Sequence, residues 1–403
     1  MSGESEISNR LSTSIDPAQC IFKVHDRLRI HNREAYEPQV LSIGPYHYGK
    51  PNLKKMKMHK RRYLDELLLE REETNRDRCI SALTELEDRA RRCYAEDISE
   101  IKKDDFVEMM LLDGCFIIQF LRKLYHSELR NGDDPIFKMG WLHNRIKMDL
   151  IVFENQAPFF ILEKLFDMTT LSGKEHLTVL VYNFCAYLVD PTGSDYFPKD
   201  VVIIHLLDLM HKSVCSSFAE TFSITNDHPL DHASVAGKRL LRPTSELKLS
   251  GIEFEADRWN PSLLDITFDS GKLIIPCLTV EDHTESVFRN LIAYEEYVLN
   301  SQSRRLVSEY TKLLDLLIAS PRDVEILSDR QIIRNLLGDD EAVCTMFNKL
   351  GHDFKINDFN FRYSRVFKDV KELIREISLN DQMFCYLGVF EELNKYSRRR
   401  RNI

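Results

Sequence analysis

Along most of this chain the apolar side chains recur at intervals of three and four, the spacing that gathers them on one face of a helix. A loop-rich stretch runs from Cys20 to Lys50 and closes on Ser42-Ile43-Gly44-Pro45-Tyr46-His47-Tyr48-Gly49. Asn52 then offers an N-cap, and Leu53, Met56, Tyr63, Leu64, Leu67 and Leu68 form a helical stripe. Lys54, Lys55, Lys57, Arg61 and Arg62 take the other faces and read as a solvated basic side. A charged amphipathic helix is predicted from Cys79 to Tyr94 through Ile80, Leu83, Leu86, Ala90 and Cys93. The run Phe106 to Leu124 is apolar enough for a buried helix, which Asn131-Gly132-Asp133-Asp134-Pro135 must break. Met148 to Phe166 reads as a pair of helices, with Pro158 starting the second or kinking the first. Helical spacing also covers His176 to Leu188, Val201 to Val214, Thr284 to Leu299, Arg305 to Ile318 and Glu341 to Leu350, whereas Thr221 to Gly237 reads as a mobile loop.

Between Glu246 and Val280 the period changes from 3.6 to two, through Leu247 and Leu249, Ile252 and Phe254, Ile266 and Phe268, and Leu273 and Ile275. Asp269-Ser270-Gly271 supplies a hairpin turn, and Pro276 closes the last strand. The expected fold is mainly α with a small antiparallel β-sheet, an α+β architecture in which an irregular helical bundle packs on a short three-stranded sheet. Residues 1–19 read as a disordered polar N-terminus, 20–350 as a single domain with a β insert near 246–280, and 351–403 as a C-terminal extension. No internal repeat is present.

Composition changes this picture little. The chain has 403 residues and 43% hydrophobic content, enough to bury a core without disulfides or structural metal. Its 55 basic and 64 acidic residues leave a net charge of -9, which disfavours nucleic acid as a partner. Nine cysteines stand singly with no Cys-x-x-Cys pair, and several lie in apolar runs where a thiol behaves as a small hydrophobe. The first 16 residues have no apolar stretch of the secretory kind, and no Asn-x-Ser/Thr sequon with a middle residue other than proline occurs. The longest uncharged run, His176 to Val189, has 14 residues, against about 20 for a bilayer span.

Polar side chains embedded in apolar runs carry more information, because an unpaired buried polar group costs several kcal/mol. Asp113 interrupts Met109-Met110-Leu111-Leu112-Asp113-Gly114-Cys115-Phe116, and Glu154-Asn155-Gln156 interrupts Leu150-Ile151-Val152-Phe153 before Ala157-Pro158-Phe159-Phe160. Arg289-Asn290 and Tyr294-Glu295 sit similarly in a helical run. One reading makes Asp113, Glu154, Asn155, Gln156, Arg289, Asn290, Tyr294 and Glu295 a buried hydrogen-bond network that fixes helix packing. The alternative gathers Asp113, Glu154 and Glu295 in a pocket, where desolvation raises a carboxyl pKa into the range of general acid or base work. His228 and His232, flanking Asp231, would present two imidazoles to a metal only if that segment were helical, and Pro229 opposes this. No Gly-x-Ser-x-Gly elbow, Gly-rich phosphate loop, Gly-x-Gly-x-x-Gly or His-Glu-x-x-His motif occurs, so neither a cofactor nor a catalytic set is expected.

Several motifs occur in a fixed order: Ala35-Tyr36-Glu37-Pro38, Ser42-Ile43-Gly44-Pro45-Tyr46-His47, Met58-His59-Lys60 and Asp113-Gly114-Cys115-Phe116. They continue as Glu154-Asn155-Gln156-Ala157-Pro158-Phe159-Phe160, His205-Leu206-Leu207-Asp208, Thr244-Ser245-Glu246-Leu247 and Arg289-Asn290-Leu291-Ile292-Ala293-Tyr294-Glu295. In these the chain resembles the plant domain-of-unknown-function 247 family, over Cys20 to Leu350. The resemblance implies a plant source and no established catalytic residues. It also implies recognition of protein partners, since some grass members are associated with the pollen side of self-incompatibility. Members usually end in an apolar membrane anchor, whereas this chain offers only Met383 to Phe390 before Arg398-Arg399-Arg400-Arg401.

Three functions are therefore weighed: an intracellular interaction or signalling protein with a protein partner, an enzyme using Asp113, Glu154 or Glu295, and peripheral attachment to a membrane through the C-terminal tail.

Overall fold

The computed structural model describes residues 20–69, 75–130, 132–170, 175–189, 202–222, 241–258, 262–299, 303–351 and 361–379, with 186–189 and 216–222 described by backbone alone. The helices in chain order begin with α1 (Asp26–Arg29), α2 (Met56–Leu69), α3 (Arg76–Arg92), α4 (Lys103–Tyr125) and α5 (Pro135–Lys138). They continue with α6 (Gly140–Leu150), α7 (Phe159–Thr169), α8 (Leu177–Val189), α9 (Leu206–Phe222) and α10 (Thr244–Leu249). Four strands follow, β1 (Glu253–Asp257), β2 (Thr267–Asp269), β3 (Lys272–Pro276) and β4 (Leu278–Val280). Then come α11 (Thr284–Tyr297), α12 (Leu306–Leu317), α13 (Pro321–Asp329), β5 (Ile333–Asn335), α14 (Asp340–Gly351) and a last helix, α15, over 364–379. The protein is mainly helical with a small β component, as its periodicity predicts. Two compact units emerge, one from Met1–Ser217 with His283–Arg305 and the other from Phe218–Asp282 with Leu306–Ile403.

The first unit is organised around α4. Its side chains from Phe106 to Lys123 are almost all buried, because α2, α3, α7 and α8 pack around it. Each fully buried Leu, Ile or Phe contributes about 2 kcal/mol to such a core. Asp104 and Asp105 in the first turn and Arg122 and Lys123 in the last complement the helix dipole. Gly114 lets α7 approach closely, since a Cβ there would lie 2.4 Å from Leu165 Cδ1. The amine of Lys123, fully buried, binds Glu66 and Asp134 at 2.7 Å each. Burial alone would push the Asp134 carboxyl up, but hydrogen bonds from Lys123 and Tyr63 outweigh it and hold the group below the ordinary range. Asp134 also caps α5 through the Ile136 N–H, which explains the chain break expected at this point. Pro158 stands at the N-cap of α7 and so begins a new helix instead of kinking the previous one.

In the second unit β1, β3 and β2 lie side by side in that order, β1 parallel and β2 antiparallel to β3. The sheet is thus mixed, where an antiparallel one was expected; alternation by two looks the same for either strand direction, so the pattern could not tell them apart. The expected hairpin is present between β2 and β3, with Ser270 at φ 48° and Gly271 at φ 84°, the left-handed pair a two-residue turn needs. Leu247 and Leu249 belong to α10, not to a strand. Beyond Pro276 the chain adds β4, paired in parallel with β5. The Tyr363 hydroxyl donates to the Leu264 carbonyl at 2.8 Å, and Leu373 and Ile377 of α15 approach Gly271 and Gly251. Asp323 closes a capping box with Ser320 at the start of α13.

Candidate functional site

Most of the segment from Cys20 to His47 is neither helix nor strand, so its main-chain groups need partners from elsewhere in the fold. Buried side chains of the first unit supply them. Asp149, at the end of α6, accepts the N–H groups of Gln39, Val40 and Leu41 at 3.0, 2.8 and 2.8 Å. Asn155 accepts from Ile43 N at 2.6 Å and donates to the carbonyls of Leu41 and Asp149 at 2.9 and 2.8 Å. Asp113 accepts from Gly44 N at 2.8 Å and from the Lys60 amine, which also reaches the Ser42 carbonyl. Glu154 accepts from Val24 N at 2.5 Å and from the Arg29 guanidinium at 2.6 Å. Asn290 accepts from Phe153 N at 2.8 Å and donates to the Ala35 carbonyl at 2.8 Å. Gly44 is required where it stands, since its φ is +68° and a Cβ would lie 2.6 Å from the Gln156 carbonyl oxygen.

Burial dominates the electrostatics. It raises the carboxyl pKa of Asp113, Asp149 and Glu154 above the ordinary range, although Lys60, main-chain N–H groups and Arg29 each pull in the other direction. Burial pushes the His47 imidazole down to about 3, so it is neutral near pH 7, with Nε2 3.7 Å from Glu154.

A second group of polar side chains joins α9 to α11. Tyr294 donates its hydroxyl proton to Asp208 at 2.6 Å, and Asp208 also accepts from Ile204 N and Lys212. His205, lowered to about 4 by burial, accepts the Asp208 N–H at Nδ1 and lies 3.3 Å from the Cys20 carbonyl at Nε2; together these call for the neutral Nε2–H tautomer. His211 Nε2 lies 2.8 Å from Glu295 Oε1 and 3.6 Å from Cys215 Sγ. Burial works against a charge on His211, but Cys215 and Glu295 outweigh it and push this imidazole up to about 10.

The residues nominated from sequence are thus distributed. Asp113, Glu154, Asn155 and Asn290 all hold the segment from Val24 to Gly44, while Gln156 binds the carbonyls of Leu150 and Val152 and accepts from Leu207 N. Tyr294 and Glu295 belong to the second group, and Arg289 pairs with Glu285 on its own helix. Asp113, Glu154 and Glu295 have different partners, Lys60, Arg29 and His211 respectively. His228 and His232 lie outside the described residues. Asp149, His205, Asp208, His211 and Cys215 were not nominated. His211 and Cys215 stand four apart, a helical spacing that a search for Cys-x-x-Cys and His-Glu-x-x-His passes over.

A family model described as a plant protein of unknown function, DUF247, matches residues 21–403. The chain belongs to this plant family. The match runs on through residues 351–403, the stretch set apart by its sequence. Among DUF247-like relatives, the UPF0481 protein At3g47200 of Arabidopsis thaliana is 30% identical over 393 residues, covering 93% of this chain and 81% of its own length. The putative UPF0481 protein At3g02645 of the same plant is 23% identical over 429 residues, covering 85% of this chain and 79% of its own. No solved structure matches. Among the described residues no helix is long and apolar enough to cross a membrane.

Proposed function

We propose that this DUF247 protein is a non-catalytic interaction component of plant signalling or recognition, with its polar interior devoted to architecture and its exterior to a protein partner. The observation that carries this reading is the commitment of the acidic side chains. Asp113 and Glu154, like Asp149, accept main-chain N–H groups of one docked segment, and Glu295, the third carboxylate weighed as an acid or base, is engaged by His211. A general acid or base must instead present a free lone pair or proton to a substrate. Trp141 and Tyr125, 64% and 55% exposed, are of the amphipathic aromatic type that anchors protein interfaces.

The test is reciprocal capture from plant tissue with the intact chain. A protein that co-purifies from both directions, and is lost when the bait is unfolded, supports the reading. No protein enriched over the unfolded bait would end it.

A further inference from the structure

Beyond that reading, one cluster has chemistry that an interior brace does not require. His211 and Cys215 stand one turn apart on α9, and Glu295 meets them from α11, all within the first unit. One ligand atom from each lies within 4.8 Å of the other two. We propose that His211 Nε2, Cys215 Sγ and a Glu295 carboxylate oxygen form a site for one borderline-soft divalent cation of the Zn2+ type, which clips α9 to α11.

The geometry distinguishes this from a nucleophilic relay. In a Cys-His-Glu relay the thiol and the carboxylate engage opposite nitrogens of the ring, so that a proton taken at one is balanced at the other. Here Sγ and Oε1 both approach Nε2, at 3.6 and 2.8 Å, and a single N–H cannot serve two acceptors well. Three lone-pair donors converging on one point are what a metal ion uses. With Zn–N near 2.0 Å and Zn–S near 2.3 Å, tetrahedral coordination separates N from S by about 3.5 Å and N from O by about 3.3 Å. The N···S distance already fits. The N···O pair opens by about half an ångström and the widest pair closes by roughly 1 Å, adjustments within reach of side-chain rotation.

The donor set selects the ion. Mg2+ and Ca2+ take oxygen ligands, whereas a thiolate with an imidazole and one carboxylate suits Zn2+ and its Co2+ substitute. Glu295 is fully buried and Cys215 half-buried. The Cys215 sulfur and the Glu295 carboxylate both face His211 Nε2, and a divalent cation bound at that point would displace the ring proton and meet all three donors. Three protein ligands would leave a fourth position for water or a further ligand.

The full chain, stripped with a chelator, is titrated with Co2+ and then Zn2+. One equivalent of Co2+ is expected to bind with a thiolate-to-cobalt charge-transfer band, which Zn2+ abolishes. Cys215→Ser should remove the band and weaken Zn2+ binding by roughly tenfold or more, and Glu295→Gln should weaken it while keeping the band. Cys215→Ser changes one atom at a half-buried position, so it reads the site even if Glu295→Gln does not fold. Absence of the band in the unmodified chain, or its persistence in Cys215→Ser, overturns the proposal.

Discussion

Asp149 in the first unit and Asp323 in the second are both fully buried carboxylates that each accept three main-chain N–H groups, yet they organise the chain in opposite ways. Two of the donors to Asp323 are Ala319 and Ser320, at the cap of its own helix, with Ser245 as the third. The three donors to Asp149 are Gln39, Val40 and Leu41, about 110 residues earlier and in no regular element. Bonded chiefly at its own cap, with one tie to Ser245 78 residues earlier, a carboxylate mainly shapes one turn. Remotely bonded, it stands in for the missing secondary structure of a whole segment, and that segment depends on it.

The contrast can be tested, beginning with its largest consequence. Asp149→Asn turns one acceptor into a donor facing N–H groups, and urea denaturation should show a loss of about 3 kcal/mol, against roughly 1 kcal/mol for Asp323→Asn. Equal losses would break the distinction. Gly44→Ala must push a methyl against the Gln156 carbonyl and hold φ at +68°, so a loss of about 2 to 3 kcal/mol is expected by the same measurement. Gly271→Ala shares the positive φ but has its nearest contact at 3.5 Å, and about 1 kcal/mol is expected.

A pH-dependent effect comes from His205, which ties Cys20 from 185 residues away. Its folded pKa of about 4 lies below the ordinary 6.5, so the unfolded chain takes up the proton first. Its contribution is therefore complete above pH 6.5 and is lost as pH falls toward 4, by at most about 3 kcal/mol. The raised carboxyls of Asp113, Asp149 and Glu154 act with the opposite sign, favouring the folded state as they take up protons. His47, lowered to about 3, acts in the same direction, so His205→Asn should reduce the fall in urea midpoint between pH 6.5 and 4 without abolishing it. An unchanged slope would show that His205 does not titrate in that window. Least of all, Lys272→Ala removes an exposed cross-strand pair with Glu255 and should leave the midpoint unchanged.

The helices were legible because long stripes such as Leu53 to Leu68 and the apolar run of α4 state their period plainly. So was the need of Asp113, Glu154, Asn155, Gln156 and Asn290 for partners, since a polar group in a greasy run must be satisfied. What each of them binds was not legible. The partners of four of them are main-chain atoms of a segment with no periodicity, and every residue type carries the same N–H and C=O. The short elements escaped for other reasons. Leu247 and Leu249 mimic a strand because a six-residue helix is too short to show 3.6 over 2, and the nine-residue α13 lies between two predicted helices and is not itself predicted. His211 and Cys215 belong to a helix that was expected to end at Val214 but runs to Phe222, so the i, i+4 pair straddled the predicted boundary.

One tie has a consequence for how this protein is made. The carbonyl of Ala35 is held by Asn290, 255 residues further along the chain. Synthesis delivers Ala35 early and Asn290 late, so the N-terminal segment leaves the ribosome with its anchor still unmade. Closure of the first unit is therefore expected only after most of the polypeptide has been translated, and chains halted before α11 should expose that segment to protease.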